Sequence, residues 1–526
     1  MESKKTKIVS VVAIVALALT VITATYAYFN AQVGDPAVAD IKVNANTVDT
    51  FTFSNGSAIS FSINQDNFAS GKVNQTGSTY ASATLTANNK TNTATEHYYM
   101  YLNIENNTFT YSINTNTPEI IMTVKNSVGN EVTDISTLNH VIVTGANGTQ
   151  VSGYDITNKS GLITLFDNRE ITTTSSKEEK WNITITFVNY DENQNANAGK
   201  SMSAKVMIQK EVIPQVVSDV CSNGTNLATC ITTLANKSIP SATNIYHHDS
   251  SLTNGAGDSS YRYSGANPNN YVCFGSNEST CPTDNLYRII GVFGNQVKLI
   301  KYDYGTTDEL GTDGDYYQTY KEWGMDSTYK GTYGDGERIG VYYWNNATQT
   351  NTWSESLLNK TNLNTNFINN IGEEWANKIA TTTWKVGGNT YSNIYSKTPS
   401  VVYQNEIVNP VTTNTTDNAT EYTAKIGLMY ASDYGFAAAK SAWTLTIGNY
   451  NNTTATSTNW MYMGLYEWTI SRFADGSDRA FTVYRGGDVH ISHVDDYRAV
   501  RPSFSLESSI TYVSGSGSAS DPMVIN

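Results

Sequence analysis

Cysteine, charge and long apolar runs are all scarce in this chain. Four cysteines in 526 residues cannot staple a disulfide-dense scaffold, so a chain of this length has to be held by its own hydrophobic cores. At roughly 150 residues per domain, that length predicts two to four folding units. Charged residues make up 15%, against about a quarter in ordinary globular proteins. Lys and Arg total 33 against 47 Asp and Glu, a formal net charge of −14. Nothing resembles the basic stripe that releases counterions from a nucleic-acid backbone, so nucleic acid is excluded as a partner. Histidine occurs six times, and no HExxH, GxSxG or phosphate-cradling glycine loop is present. A hydrolase or metalloenzyme therefore has no motif behind it, and neither a metal nor a cofactor is expected. What is abundant is Asn, Thr, Ser and Tyr, with 35 Tyr and an aromatic fraction of 11%, too aromatic for an acidic disordered tail. The composition is that of a β-rich, neutral-polar, extracellular protein.

The longest apolar run, Ile8 to Ile22, falls short of the ~20 residues that span a bilayer as a helix. Lys4, Lys5 and Lys7 precede it, and the small residues of Ala24-Thr25-Tyr26-Ala27 follow. This order predicts a signal peptide over 1–27, cut after Ala27 by a signal peptidase, and a secreted or cell-surface protein. The competing arrangement is an uncleaved helical anchor, extended to the membrane interface by Tyr26, Tyr28 and Phe29. Span length favours cleavage. The string Thr25-Tyr26-Ala27-Tyr28-Phe29-Asn30 resembles the signal ending of the camelysin/TasA family of Gram-positive bacteria. Those are secreted β-sandwich subunits, some of which assemble into biofilm matrix fibres, and the resemblance implies a TasA-like domain over 28–212 able to self-assemble.

Residues 33–210 read as strand after strand. Phe51–Phe53, Ile59–Ile63, Tyr99–Ile104, Ile120–Val124, Val141–Thr144, Trp181–Val188 and Ser203–Ile208 are β-rich runs separated by Asn/Gly-rich turns. A sandwich or jelly roll is predicted. Trp181–Phe187 and the last strand read as a hairpin through 191–197. Asp191, Asn193 and Asn195 have the odd spacing of a calcium loop, but Ala196 and Met202 stand where Gly and a bidentate Glu are needed. A plain loop is the better reading.

A boundary is expected near Val212-Ile213-Pro214, opening a cysteine-containing linker or entry segment over 213–284. Cys221, Cys230, Cys273 and Cys281 allow three connectivities. Their short separations favour Cys221–Cys230 and Cys273–Cys281, each closing a loop of about ten residues and contributing ~2–3 kcal/mol. The spacings do not suit a four-thiolate zinc site.

An α+β domain is predicted over 285–512. Leu286–Phe293 and Gln296–Lys301 form a hairpin around Gly294-Asn295. A Gly/Asp/Tyr-rich insertion, 304–340, precedes helices over 353–360 and 363–379; Phe367, Ile368, Ile371, Trp375 and Ile379 form the amphipathic stripe of the second, read as helix core. A short helix over 432–442 takes Ser432 or Asp433 as N-cap. Residues 460–506 return to β, and 513–526 read as a tail.

Three stretches carry a second resemblance: Met463–Arg472 with Glu467-Trp468, Ala480–Val483 with Gly486-Gly487-Asp488-Val489, and Ala499–Leu506 with Val500-Arg501-Pro502. Together they are similar to the closing core of C-type-lectin-like folds of the formylglycine-generating-enzyme branch. The wider 260–526, with Ser514-Gly515-Ser516-Gly517, resembles surface proteins of gut Firmicutes. The resemblance implies a mainly β architecture and a ligand-binding face in 472–498, the region that is hypervariable in some lectin-fold proteins. No cysteine follows Cys281, which removes the branch's oxidase chemistry, and no calcium-ligating EPN, QPD or WND triplet occurs.

Alternation in 479–493 puts Phe481, Val483, Val489 and Ile491 on a core face and Thr482, Tyr484, Asp488, His490 and Ser492 outward. With Arg472, Arg479, Arg485, His493, Asp495 and Tyr497 they form the candidate ligand set, a charge-mixed aromatic face suited to a protein or glycan ligand. An ordinary solvated strand face produces the same alternation. His490 and His493 lie on opposite faces of a regular strand, so they converge on a metal only across a bulge. The predicted function is a non-catalytic structural or adhesive surface protein displaying a lectin-fold binding module. The alternative is a variable display protein.

Overall fold

A computed structural model describes residues 49–64, 74–88, 92–135, 138–323, 328–334, 336–410, 420–451 and 453–526. The predicted signal or anchor segment and Ala27 lie outside the described residues. The fold is mainly β, and the chain divides into two compact units, Met1–Ile213 and Pro214–Asn526.

The first unit packs two antiparallel sheets into a sandwich. Its strands are β1 (Thr50–Asn55), β2 (Ile59–Ser62), β3 (Gln75–Thr86), β4 (Ala94–Asn107), β5 (Ile120–Asn126), β6 (His140–Thr144), β7 (Gln150–Asp155), β8 (Gly161–Thr173), β9 (Ser176–Phe187) and β10 (Ser201–Gln209). One sheet runs β1-β3-β9-β5-β7-β6 and the other β2-β10-β4-β8. Leu85, Met122, Ile183 and Ile185 from the first meet Met100, Leu102, Ile104 and Val206 from the second in one buried core. Polar groups also cross between the sheets: Trp181 Nε1 donates to Tyr98 Oη at 2.9 Å, and Tyr98 donates to Glu179 at 2.7 Å. At Gly153 an added Cβ would lie 2.3 Å from the Met122 carbonyl oxygen, so only glycine lets β7 approach β5 this closely.

The expected terminal hairpin is corrected here. β9 and β10 belong to different sheets, so the connection between them crosses the sandwich. Glu119, fully buried, holds that crossing in place. Its carboxylate accepts from the Ser112 N–H at 2.6 Å, and from Gln194 Nε2 and Asn197 Nδ2 at 2.8 Å each. Among the described residues its partners are converging hydrogen-bond donors and not a cation.

The second unit carries two larger sheets. The first contains β11 (Ile245–His247), β12 (Tyr261–Tyr263), β13 (Tyr271–Cys273), β14 (Leu286–Phe293), β15 (Gln296–Lys301), β20 (Ile426–Gly427) and β25 (Ser503–Ser505). Its order is β11-β12-β14-β15-β25-β20, with β13 also on β14. The second contains β16 (Tyr316–Thr319), β17 (Gly340–Tyr343), β21 (Glu467–Arg472), β22 (Arg479–Val483), β23 (Val489–His493) and β24 (Tyr497–Ala499), ordered β16-β17-β24-β21-β22-β23. Two ladders of two strands complete it: β18 (Thr382–Lys385) with β19 (Glu421–Ala424), and β26 (Tyr512–Ser514) with β27 (Val524–Ile525). Trp344, Trp353, Trp468 and Phe504 are among the residues of its main core.

Four expectations change. Residues 213–284 are not a linker: they supply three strands to the first sheet and a helix, Leu227–Lys237, whose Leu227, Ile231 and Leu234 join the core. Residues 513–526 are not a loose tail, because Met523 and Ile525 are buried in that core and β27 closes on β26. The helical stretch starts as a π-helix over Leu358–Phe367 and breaks at Gly372, whose φ of 81° lies in the left-handed region. The short helix spans Ala431–Ala437 with Tyr430 at its N-cap, and Asp433 reaches back to accept the Tyr430 N–H at 3.1 Å. Cys221–Cys230 and Cys273–Cys281 are both closed, each with a Cα–Cα distance of 5.6 Å.

Candidate functional site

The candidate residues cluster on the β22–β23 hairpin and the strands beside it. Register pairs Phe481 with Ile491 and Val483 with Val489; Phe481, Val483 and Val489 enter a core and Ile491 packs at its edge. The turn closes when the Tyr484 N–H meets the Asp488 carbonyl at 2.8 Å. Gly487 sits at φ 100°, and a Cβ there would meet Thr456 Cγ2 at 2.4 Å. Gly487 is thus a steric requirement of the turn.

Not every predicted outward residue faces out. Thr482 is buried and its Oγ1 donates to the Glu467 carbonyl at 3.1 Å, because β22 is an interior strand covered on both faces. Ser492 is buried as well and accepts from Arg498 Nη2 at 3.2 Å. Arg472 points inward: Nε donates to the Val386 carbonyl at 3.3 Å and Nη2 to that of Gly387. Its Nη1 is buried without a partner, and burial pulls the guanidinium down to about 10. With Asn351, Trp353 and Tyr422 it lines a cavity of about 10 Å³, room for a single water. These three are corrections: period-two alternation assigns faces, but a face in a layered sheet is not solvent.

The remaining candidates form two groups. Arg479, His493, Asp495 and Asp478 make a polar end, with His493 Nδ1 3.2 Å from Asp478 and Arg479 Nη2 3.4 Å from His493 Nε2; Asp495 is exposed. Tyr484 and His490 belong to a chain of rings. His490 lies 5.0 Å from Tyr484 and 5.3 Å from Tyr391, whose Oη is 3.0 Å from His490 Nε2. Tyr391 stacks on Tyr395 at 4.7 Å, and Tyr484 contacts Tyr466 at 5.0 Å. Arg498 and Arg485 approach the Tyr466 ring at 5.0 and 5.9 Å. On β24, Tyr497 stacks at 4.0 Å on Tyr317, which is 41% exposed, with Tyr343 edge-on. His490 and His493 therefore turn to different neighbours.

Burial pushes Tyr391 up to about 12 and raises Tyr484 and Tyr497, so these phenols stay neutral donors across the physiological range. Burial also raises Asp488. Half-buried rings, neutral hydroxyls and two guanidinium groups provide apolar faces with hydrogen-bond donors at their rims, the chemistry of adaptable recognition. Among the described residues no three His, Cys, Asp or Glu side chains are placed to hold a metal ion. Tyr391, Tyr395, Tyr466, Tyr317 and Arg498 were not in the predicted set. The i,i+4 spacing of Tyr391 and Tyr395, one helical face, was the signal that could have found the first two. The chain matches no family model, no curated protein and no solved structure.

Proposed function

We propose that this chain is a non-catalytic, exported surface protein whose second unit binds a ligand, a surface glycan or protein, across the Tyr395–Tyr391–His490–Tyr484–Tyr466 rings. The single observation behind this reading is that unbroken run of ring contacts, flanked by Arg485 and Arg498. Stacked tyrosines with hydroxyls at their rims suit the alternating apolar and hydroxylated surfaces of sugars and the aromatic or Arg-rich surfaces of proteins. Two closed disulfides support export to an oxidising compartment. The sandwich of the first unit and the Glu467-Trp468, Gly486-Gly487 and Val500-Arg501-Pro502 segments support reading the units as TasA-like and C-type-lectin-like. On that reading the first unit associates with the cell surface or with further copies of itself, and the second is displayed.

The test combines Tyr484→Ala, Arg485→Ala and His490→Ala in one variant. Screened against glycan arrays and surface extracts of host and bacterial cells, the parent chain should retain a ligand that the triple variant loses by at least about tenfold. The melting temperature should stay nearly unchanged, since all three side chains are at least partly exposed. Equal binding by both chains would rule this surface out.

A further inference from the structure

Beneath the helix Ala431–Ala437, remote from solvent, charged side chains meet inside a cage of rings. Lys298 on β15 is 6% exposed, and its Nζ donates to Asp433 Oδ2 at 2.5 Å; Asp433 is 3% exposed. The Lys298 Nζ lies 4.6 Å from the Tyr430 ring centroid, 5.2 Å from that of Trp384 and 5.8 Å from that of Phe293. Arg262 reaches the other Asp433 oxygen at 3.3 Å, but its closer partner is Asp258 at 2.7 Å. Asp433 Oδ2, which also accepts the Tyr430 N–H at 3.1 Å, has Lys298 as its nearest partner. A second acid, Glu406, is 3% exposed and has no ion-pair partner among the described residues. It accepts the N–H groups of Ala431 and Ser432 at 3.1 and 3.0 Å and the Ser471 hydroxyl.

An ammonium and a carboxylate sealed from water cost several kcal/mol each to desolvate. Passing one proton from Lys298 to Asp433 across this contact sets an amine against a carboxylic acid. Burial accordingly draws the lysine down and pushes Glu406 up. A neutral amine held in contact with a carboxylic acid has the nucleophile, the electrophile and a fixed approach in place. The ring cage keeps out the water that would reverse a condensation.

We propose that Lys298 and Asp433 become joined by an intramolecular amide bond. The Nζ lone pair attacks Asp433 Cγ, the N–C bond forms, and the C–OH bond breaks. The hydroxyl leaves as water with one proton from the amine, and nothing is oxidised or reduced. The bond ties β15 to the helix Ala431–Ala437 across 135 residues of sequence, a covalent strap through the middle of the binding unit.

Intact-mass measurement of the full chain, reduced and alkylated, tests this. The expected mass is one water, about 18 Da, below that of the alkylated sequence, and digestion with trypsin should release a branched peptide linking Lys298 to Asp433. A Lys298→Arg variant keeps a cation against Asp433 but cannot form the bond, and should return the full mass. An unmodified parent mass, a loss traced to a succinimide at Asp433-Tyr434, or a loss that survives in Lys298→Arg would each overturn the bond.

Discussion

His248 illustrates how one side chain can set a pH limit on this fold. Its ring is fully buried between Phe436 and Trp443, with Nδ1 accepting the Ala256 N–H at 3.0 Å and Nε2 without a partner. Desolvation first, then the Arg262 guanidinium, hold it well below its ordinary value, against weaker opposing pulls from Asp258 and Asp249. Unfolded, the same imidazole takes up a proton near pH ~6.5. The native state therefore binds fewer protons below that point, so stability is full above it and is lost as pH falls through it. The unfolding free energy should fall between about pH 7.5 and about pH 5.5, by up to ~1.4 kcal/mol per pH unit from this group alone, and the melting temperature should fall with it. His248→Gln, which can still accept the Ala256 N–H, should flatten that slope. Parallel slopes in parent and variant would assign the pH dependence elsewhere.

At the scale of elements, sequence legibility followed the size and spacing of buried side chains. The β14–β15 hairpin was readable to the residue because bulky apolar groups flank a Gly-Asn turn. β3 was not, since its buried face is built partly of Ala81 and Ala83 beside Leu85, too small to mark a strand by hydrophobicity. β8 hid for another reason: Asn168 at φ 50° breaks its alternation. Of the candidate site, Tyr484, His490 and Tyr497 were legible locally. Their partners Tyr391, Tyr395, Tyr466 and Tyr317 lie on elements joined to the hairpin only by tertiary packing. The same limit applied to Glu119, an unremarkable acid in sequence that anchors the crossing from β9 to β10. Glu119→Gln should show its weight. Oε2 receives two amide donors and Oε1 the Ser112 N–H, so an NH₂ on either side faces a donor. The variant should lose about 2–4 kcal/mol, read from the denaturant midpoint of the first unit. A change under about 0.5 kcal/mol would mean the loop carries itself.

The whole molecule is two independent cores in one chain. The sandwich core draws only on residues between Phe51 and Ile208, and the clusters of the second unit only on residues from Val217 onward. Among the described residues each unit has its own apolar core, which is what a domain needs to fold alone. Both disulfides fall on one side of that division, at Cys221–Cys230 and Cys273–Cys281. This asymmetry lets a reducing agent distinguish the units. Residues 49–213 and 214–526, expressed separately, should each unfold cooperatively in calorimetry. Dithiothreitol should leave the first transition unmoved and lower the second, by about 2–3 kcal/mol for each loop opened. The Cys221–Cys230 bond should matter more, because Cys230 sits buried in the helix Leu227–Lys237 and a Cys221→Ser/Cys230→Ser pair would place two hydroxyls against that core. If reduction shifted the 49–213 transition, or if 214–526 failed to fold without the residues before it, the chain would have to be treated as one cooperative body instead of two.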